Sequence, residues 1–200
     1  MQSEKGTLDK YIGDAVMTLW NAPLDIAHHQ YHAAIAALKI KDALAALNQQ
    51  SNVLAILNNA KLPPIGVRIG IATGLATVGN MGSSQRFDYS ALGEPVNMAA
   101  RAEQACKQVG ADIVIAGELI GKSATLSILD AGKLSFRGLT HKVQCHAVFG
   151  ASKDEAHKQA DMALYSFQSG TRLLQPKLAK HYAAFIAALA SRRADYGLTN

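Results

Sequence analysis

At 200 residues, with 49% hydrophobic and 18% charged content, the chain can bury one core and is too apolar to be disordered in its bulk. The formal net charge of +5 and pI near 9.2 suit an anionic ligand such as a nucleotide. Lys and Arg are scattered rather than striped with aromatics, which argues against nucleic acid as a partner. Two distant cysteines, Cys106 and Cys145, are too few for a structural zinc site and read as free thiols. The chain has no apolar run of membrane-spanning length and no signal-peptide core at its N-terminus. The expectation is a soluble, cytoplasmic chain, or the cytoplasmic part of a larger membrane-anchored protein.

The first elements read as two β-type runs, Thr7–Tyr11 and Ala15–Trp20, around a Gly13-Asp14 turn. A helix is expected from about Leu24 to Asn48, with Ala33, Ala37, Ile40, Leu44 and Leu47 as its buried stripe. Asn58-Asn59 and Pro63-Pro64 read as loop. Alternation of Val67, Ile69 and Ile71 marks a strand. Gly74 and Gly79 after it suggest a second hairpin or a close backbone approach. Beyond a polar loop at Ser83, Ser84 and Gln85 comes the short segment RFDYSALGE, and Pro95 then opens a helix to about Val109. ADIVIAG is a compact buried strand, and Ala124 to Gly150 reads as short strands with turns at Ala131-Gly132 and Gly138. Residues 151–200 read as an Ala-rich helical extension to a domain spanning 1–150.

Two stretches, GTLDKYIGDAVMTLWNAP and VRIGIATGLATVGNMGSSQRFDYSALGEPVNMAARAE, followed by KLSFRGLTHKVQCHAVFG, occur in an order that resembles the catalytic domain of class III adenylate and guanylate cyclases. The resemblance covers roughly Gly6 to Gly150. It implies an α+β fold with a ferredoxin-like core, an antiparallel-rich sheet flanked by helices. It also implies attack of a ribose 3′-oxygen on the α-phosphorus with departure of pyrophosphate, a reaction that needs positioning and charge neutralisation. Two Mg²⁺ or Mn²⁺ ions per site would be held by two aspartates, and Asp14 matches one of them; in isolation a Gly-Asp pair is simply good turn chemistry.

Lys10 matches the purine-recognising lysine of that family, and Ser90 stands at the companion position where similar adenylate cyclases carry Asp or Thr. A lysine donor suits the acceptor at adenine N1, whereas guanine presents an N–H there; the Ser90 hydroxyl can accept or donate. Asn97 and Arg101 match the ribose-positioning asparagine and the transition-state arginine, and their i,i+4 spacing puts both on one helix face. Arg86 corresponds loosely to a phosphate-binding arginine. The family builds its sites between two catalytic domains, so Lys10, Ser90, Asn97 and Arg101 would face one shared cleft while Asp14 serves the other half. The expected partners are ATP and a second copy of the domain, or a heterodimer with another cyclase domain.

The first metal-binding segment of the family, of the type Phe-x-Asp-Ile-x-Gly-Phe-Thr, does not occur in the sequence. It is expected upstream of Met1, which would leave this chain with one metal carboxylate, impaired catalysis and a sheet lacking a strand. Two readings follow: an ATP-using cyclase domain, and a catalytically silent regulatory or dimerisation module. A guanylate cyclase is disfavoured by Lys10. GELIGKS at Gly117–Ser123 fails as a P-loop on spacing, and His28, His29 and His32 read as a solvated helix start.

Overall fold

The segment Ile113–Ala116 sets the plan of the molecule, because all four of its side chains are buried. Ile113 and Ile115 face one core cluster while Val114 and Ala116 face another, the period-two alternation of a strand covered on both sides. The computed structural model describes residues 1–83 and 86–151. In it this strand lies inside a four-stranded sheet, with a helix packed on each face.

In chain order the elements are β1 (Thr7–Ile12), β2 (Ala15–Leu19), α1 (His29–Asn48), α2 (Ser51–Ala60), β3 (Ile69–Ala72), β4 (Thr77–Ser83), β5 (Arg86–Leu92), α3 (Glu94–Val109), β6 (Ile113–Ala116), β7 (Ser127–Ser135) and β8 (Lys142–Gly150). The four-stranded sheet has the order β3-β6-β8-β7, parallel between β3 and β6 and antiparallel elsewhere. β1 with β2, and β4 with β5, form two separate antiparallel hairpins. This is the α+β arrangement of mixed and antiparallel sheets flanked by helices that the sequence implied.

α3 is delimited by local chemistry. Glu94 and Pro95 occupy its first turn, where an acidic side chain and a missing N–H are both well tolerated. Gly110 ends it in the left-handed conformation, φ 74°, donating its N–H to the Cys106 carbonyl at 2.8 Å. Ala102, Ala105, Cys106 and Val109 form its buried stripe. Gly70 on β3 lets the helix close onto the sheet: a Cβ there would stand 2.0 Å from the Ala99 carbonyl oxygen.

The opposite face is closed by α1 through Ala33, Ala34 and Ala37 against Ile71, Ile113, Ile115, Leu126 and Val148. Gln30, only 2% exposed, ties this helix to two loops. Its amide donates to the Glu118 carbonyl at 2.9 Å and to Thr73 Oγ1 at 3.3 Å, and its oxygen accepts from the Ile120 N–H at 2.7 Å. A buried amide is thereby satisfied at both ends.

Five expectations need correction. Of the stripe expected on the first helix only Ala33 and Ala37 are buried, Ile40 and Leu44 being half-buried and Leu47 exposed. The first helix begins at His29 rather than near Leu24, because His28 is left-handed at φ 58° and the Asn21 side chain accepts the Ile26 N–H, holding the approach as loop. Asn58 and Asn59 lie inside α2, which buries Leu57 and ends only at the left-handed Lys61. Ala131-Gly132 is not a turn: β7 runs through it with a bulge, Gly132 at φ 77° and its N–H bonded to Asp130 Oδ1 at 2.7 Å. Ser83 closes β4 instead of opening a loop. The helical extension expected over 151–200 lies outside the described residues from 152 onward.

Candidate active site

The β1–β2 hairpin presents two of the expected residues. Lys10 sits on β1 with its side chain 38% exposed. Asp14 follows Gly13 at the tip, where Gly13 takes φ 64°, and is exposed. Between Leu8 and Lys10 the pairing with β2 shifts: Leu8 faces Thr18 and Lys10 faces Met17, so Asp9 is the extra residue of a bulge.

Ser90 lies on β5 opposite Gly79 and is buried. Its hydroxyl donates to Asp9 Oδ2 at 2.9 Å, joining the two hairpins. The other oxygen of Asp9 lies 3.8 Å from the Lys10 ammonium. Lys10 and Ser90, expected together from sequence, are thus brought together through a third residue that sequence reasoning passed over. Arg86 begins β5, paired with Ser83; its side chain is outside the described set.

Asn97 and Arg101 share the outward face of α3, as their spacing implied, and both line a cleft of about 540 Å³. Glu94 and Met98 complete the helix wall, and Arg137, Gly138 and Leu139 of the β7–β8 connection form the other. Arg101 is held along the helix by a hydrogen bond from Nη1 to Gln104 Oε1, 3.0 Å. Two guanidinium groups over one cleft make a receptor for phosphate oxygens, which they can grip bidentately. Arg137 was missed because its neighbourhood reads only as a Gly138 turn; an Arg-Gly pair joining two strands was the available signal. The cleft lining does not include Lys10, Ser90 or Asp14.

A metal pair needs more than one carboxylate. Among the described residues no group of three or more His, Cys, Asp or Glu side chains could hold an ion. Asp14 offers one exposed ligand, so these residues do not by themselves fit a two-ion site. The three histidines at the start of α1 likewise form no such group; His32 Nδ1 instead approaches Glu4 Oε2 at 3.2 Å. Glu4 also pairs with Lys39, and these two partners, Lys39 first, hold its carboxyl below the usual range. GELIGKS forms a loop and a short 3-10 turn, Gly121–Thr125, rather than a phosphate cradle.

Comparison with known proteins gives this geometry a family. A model described as the adenylate and guanylate cyclase catalytic domain matches residues 2–150. Adenylate cyclase 1 of Rhizobium meliloti is 34% identical over 117 residues, 58% of this chain and 17% of that protein; the chain therefore spans under a fifth of that relative. The crystal structure of the adenylyl cyclase CyaB from P. aeruginosa superposes with a TM-score of 0.56 at 27% identity, covering 76% of each chain. That of the guanylyl cyclase Cya2 gives 0.55 at 25% identity, covering 77% of this chain and 75% of that one. The match over three quarters of the sequence and the shared fold mean that this chain belongs to the adenylate and guanylate cyclase catalytic domain family.

Proposed function

We propose that the chain is an ATP-using cyclase domain that forms cyclic AMP and pyrophosphate, working in intracellular signalling as one half of a dimeric site. In the reaction the ribose 3′-hydroxyl gives up its proton to solvent and its oxygen forms a bond to the α-phosphorus, the bond from that phosphorus to the oxygen bridging to the β-phosphate breaks, and pyrophosphate leaves with the electron pair. The observation that carries the reading is the α3 cleft, where Asn97 and Arg101 face Arg137 within a domain of this family. Asn97 orients the ribose, and Arg101 neutralises charge that grows on the phosphate during attack. Arg137 grips the polyphosphate from the opposite wall, in the role given loosely to Arg86 on sequence grounds.

Lys10 and Ser90 supply base recognition. The ammonium donates to adenine N1, and the hydroxyl meets the exocyclic amine. Adenylate cyclase names among the relatives, such as that from Rhizobium meliloti, support ATP over GTP, as does the lysine itself. Asp14 contributes one carboxylate toward a divalent ion, Mg²⁺ or Mn²⁺, which it cannot hold alone. Residues 1–150 form the cyclase unit and the rest an extension. A nucleoside triphosphate substrate supports a cytoplasmic setting; no helix among the described residues is long and apolar enough to cross a membrane.

The second reading, a silent partner domain, is favoured by the finding that among the described residues no group of three or more His, Cys, Asp or Glu side chains could hold an ion. A cyclic-nucleotide assay on the full-length protein with ATP and GTP in parallel separates the two. Cyclic AMP should form, and Arg101→Ala should lower turnover by roughly 10²–10³-fold with a much smaller change in nucleotide affinity. Equal losses of turnover and affinity would reduce Arg101 to a binding group. Absence of any cyclic nucleotide from the intact protein would favour the silent module.

A further inference from the structure

Asp9 has a side chain with 0% exposure on a hairpin whose neighbouring Leu8, Tyr11 and Ile12 are exposed, and no step above uses it. In an unbroken strand Asp9 and Lys10 would point to opposite faces. The bulge between Leu8 and Lys10 removes that constraint and re-aims Asp9 toward β5. One carboxylate oxygen accepts the Ser90 hydroxyl hydrogen at 2.9 Å. The other has no hydrogen-bond partner and is one of two such buried side-chain atoms among the described residues, the second being Ser123 Oγ. That oxygen lies 3.8 Å from the Lys10 ammonium, outside hydrogen-bond reach, and a buried carboxylate oxygen without a hydrogen bond is costly, which favours a role for Asp9 beyond packing.

We infer that Asp9 is the positioning residue that sets base selectivity, by fixing the Ser90 hydroxyl as an acceptor toward the bound purine beside the Lys10 ammonium. The inference rests on the adenine reading of Lys10 and Ser90. A serine hydroxyl has one hydrogen and two lone pairs, so alone it serves a base donor or acceptor equally well. A carboxylate only accepts. Once the Ser90 hydrogen is given to Asp9, the oxygen has lone pairs alone to offer a third group. Adenine meets this arrangement with its amine donor at Ser90 and its N1 acceptor at Lys10. Guanine inverts both polarities, placing O6 against the Ser90 lone pairs and N1–H against the ammonium. Selectivity then comes from repulsion of the wrong base as much as from attraction of the right one.

The test is displacement of a fluorescent nucleotide analogue by ATP and by GTP from the full-length protein, in wild type, Asp9→Ala, Asp9→Asn, Ser90→Ala and Asp9→Ala/Ser90→Ala, with thermal unfolding as the check on folding. Asp9→Ala should lower the ATP-to-GTP affinity ratio by about tenfold, the worth of one oriented hydrogen bond. Asp9→Asn, whose amide can still accept from Ser90, should lower it less. With Ser90 already replaced, loss of Asp9 should change the ratio no further. Should Asp9→Ala not fold, Asp9→Asn compared with and without Ser90→Ala carries the same comparison. An unchanged ratio in the Asp9 variants of a protein that prefers ATP overturns the inference alone, as do fully additive losses in the double variant. A wild type that binds ATP and GTP equally overturns the adenine reading and the inference with it.

Discussion

The four-stranded sheet and the two hairpins are built to different standards. In the sheet Ile113, Val114, Ile115 and Ala116 are all at 0% exposure, sealed by α1 and α3. On the hairpins Tyr11 is 71% exposed, Ile12 57% and Leu92 63%. The base-reading candidates sit on the lightly packed hairpins, whereas Asn97 and Arg101 project from a helix anchored to the well-packed sheet. The contrast teaches that the tightest packing and the candidate base-reading groups lie in different parts of the molecule.

This contrast can be broken by paired substitutions. Ile115→Ala should cost about 2–5 kcal/mol in denaturant unfolding, through lost burial and a cavity that packed neighbours cannot fill. Tyr11→Ala should stay within about 0.5 kcal/mol, as for most surface changes. Similar losses from both would mean that the hairpin belongs to the same cooperative core.

A smaller effect sharpens the comparison from the sheet side. Burial raises the Cys106 and Cys145 thiols to about 11 from 9.0. Because the folded state holds these protons more tightly than the unfolded chain, the thiols favour folding fully below about pH 9, and that contribution fades as pH rises through about 11. Replacing both cysteines by alanine should therefore flatten the alkaline fall in Tm, read from melting curves between pH 8 and pH 11. An unchanged alkaline slope would mean that neither thiol is shielded as the packing requires. A disulfide reagent at neutral pH should likewise label neither sulfur until the protein unfolds.

Much of the scaffold was legible in the sequence because its signals are local. Gly13-Asp14 marks a turn, Pro95 opens a helix expected to end near Val109, and ADIVIAG marks a compact buried strand. What escaped depends on partners distant in the chain. The bulge at Asp9 is a property of register against β2, and the role of Gly132 as a bulge rather than a turn depends on its pairing with β8. α2 was hidden by Asn58-Asn59, whose turn preference is overridden once Leu57 is buried. Arg137 shares a cleft with Arg101 because the β7–β8 connection and α3 line it from two sides, a proximity that no spacing rule encodes.

Base choice by the β1 hairpin is tested most directly by the product ratio from ATP and GTP in the full-length protein with and without Lys10→Glu. Replacing the N1 donor by an acceptor should depress cyclic AMP formation and raise the share of cyclic GMP. An unchanged product ratio would contradict the account, because the purine would then be read somewhere other than beside Asp9 and Ser90.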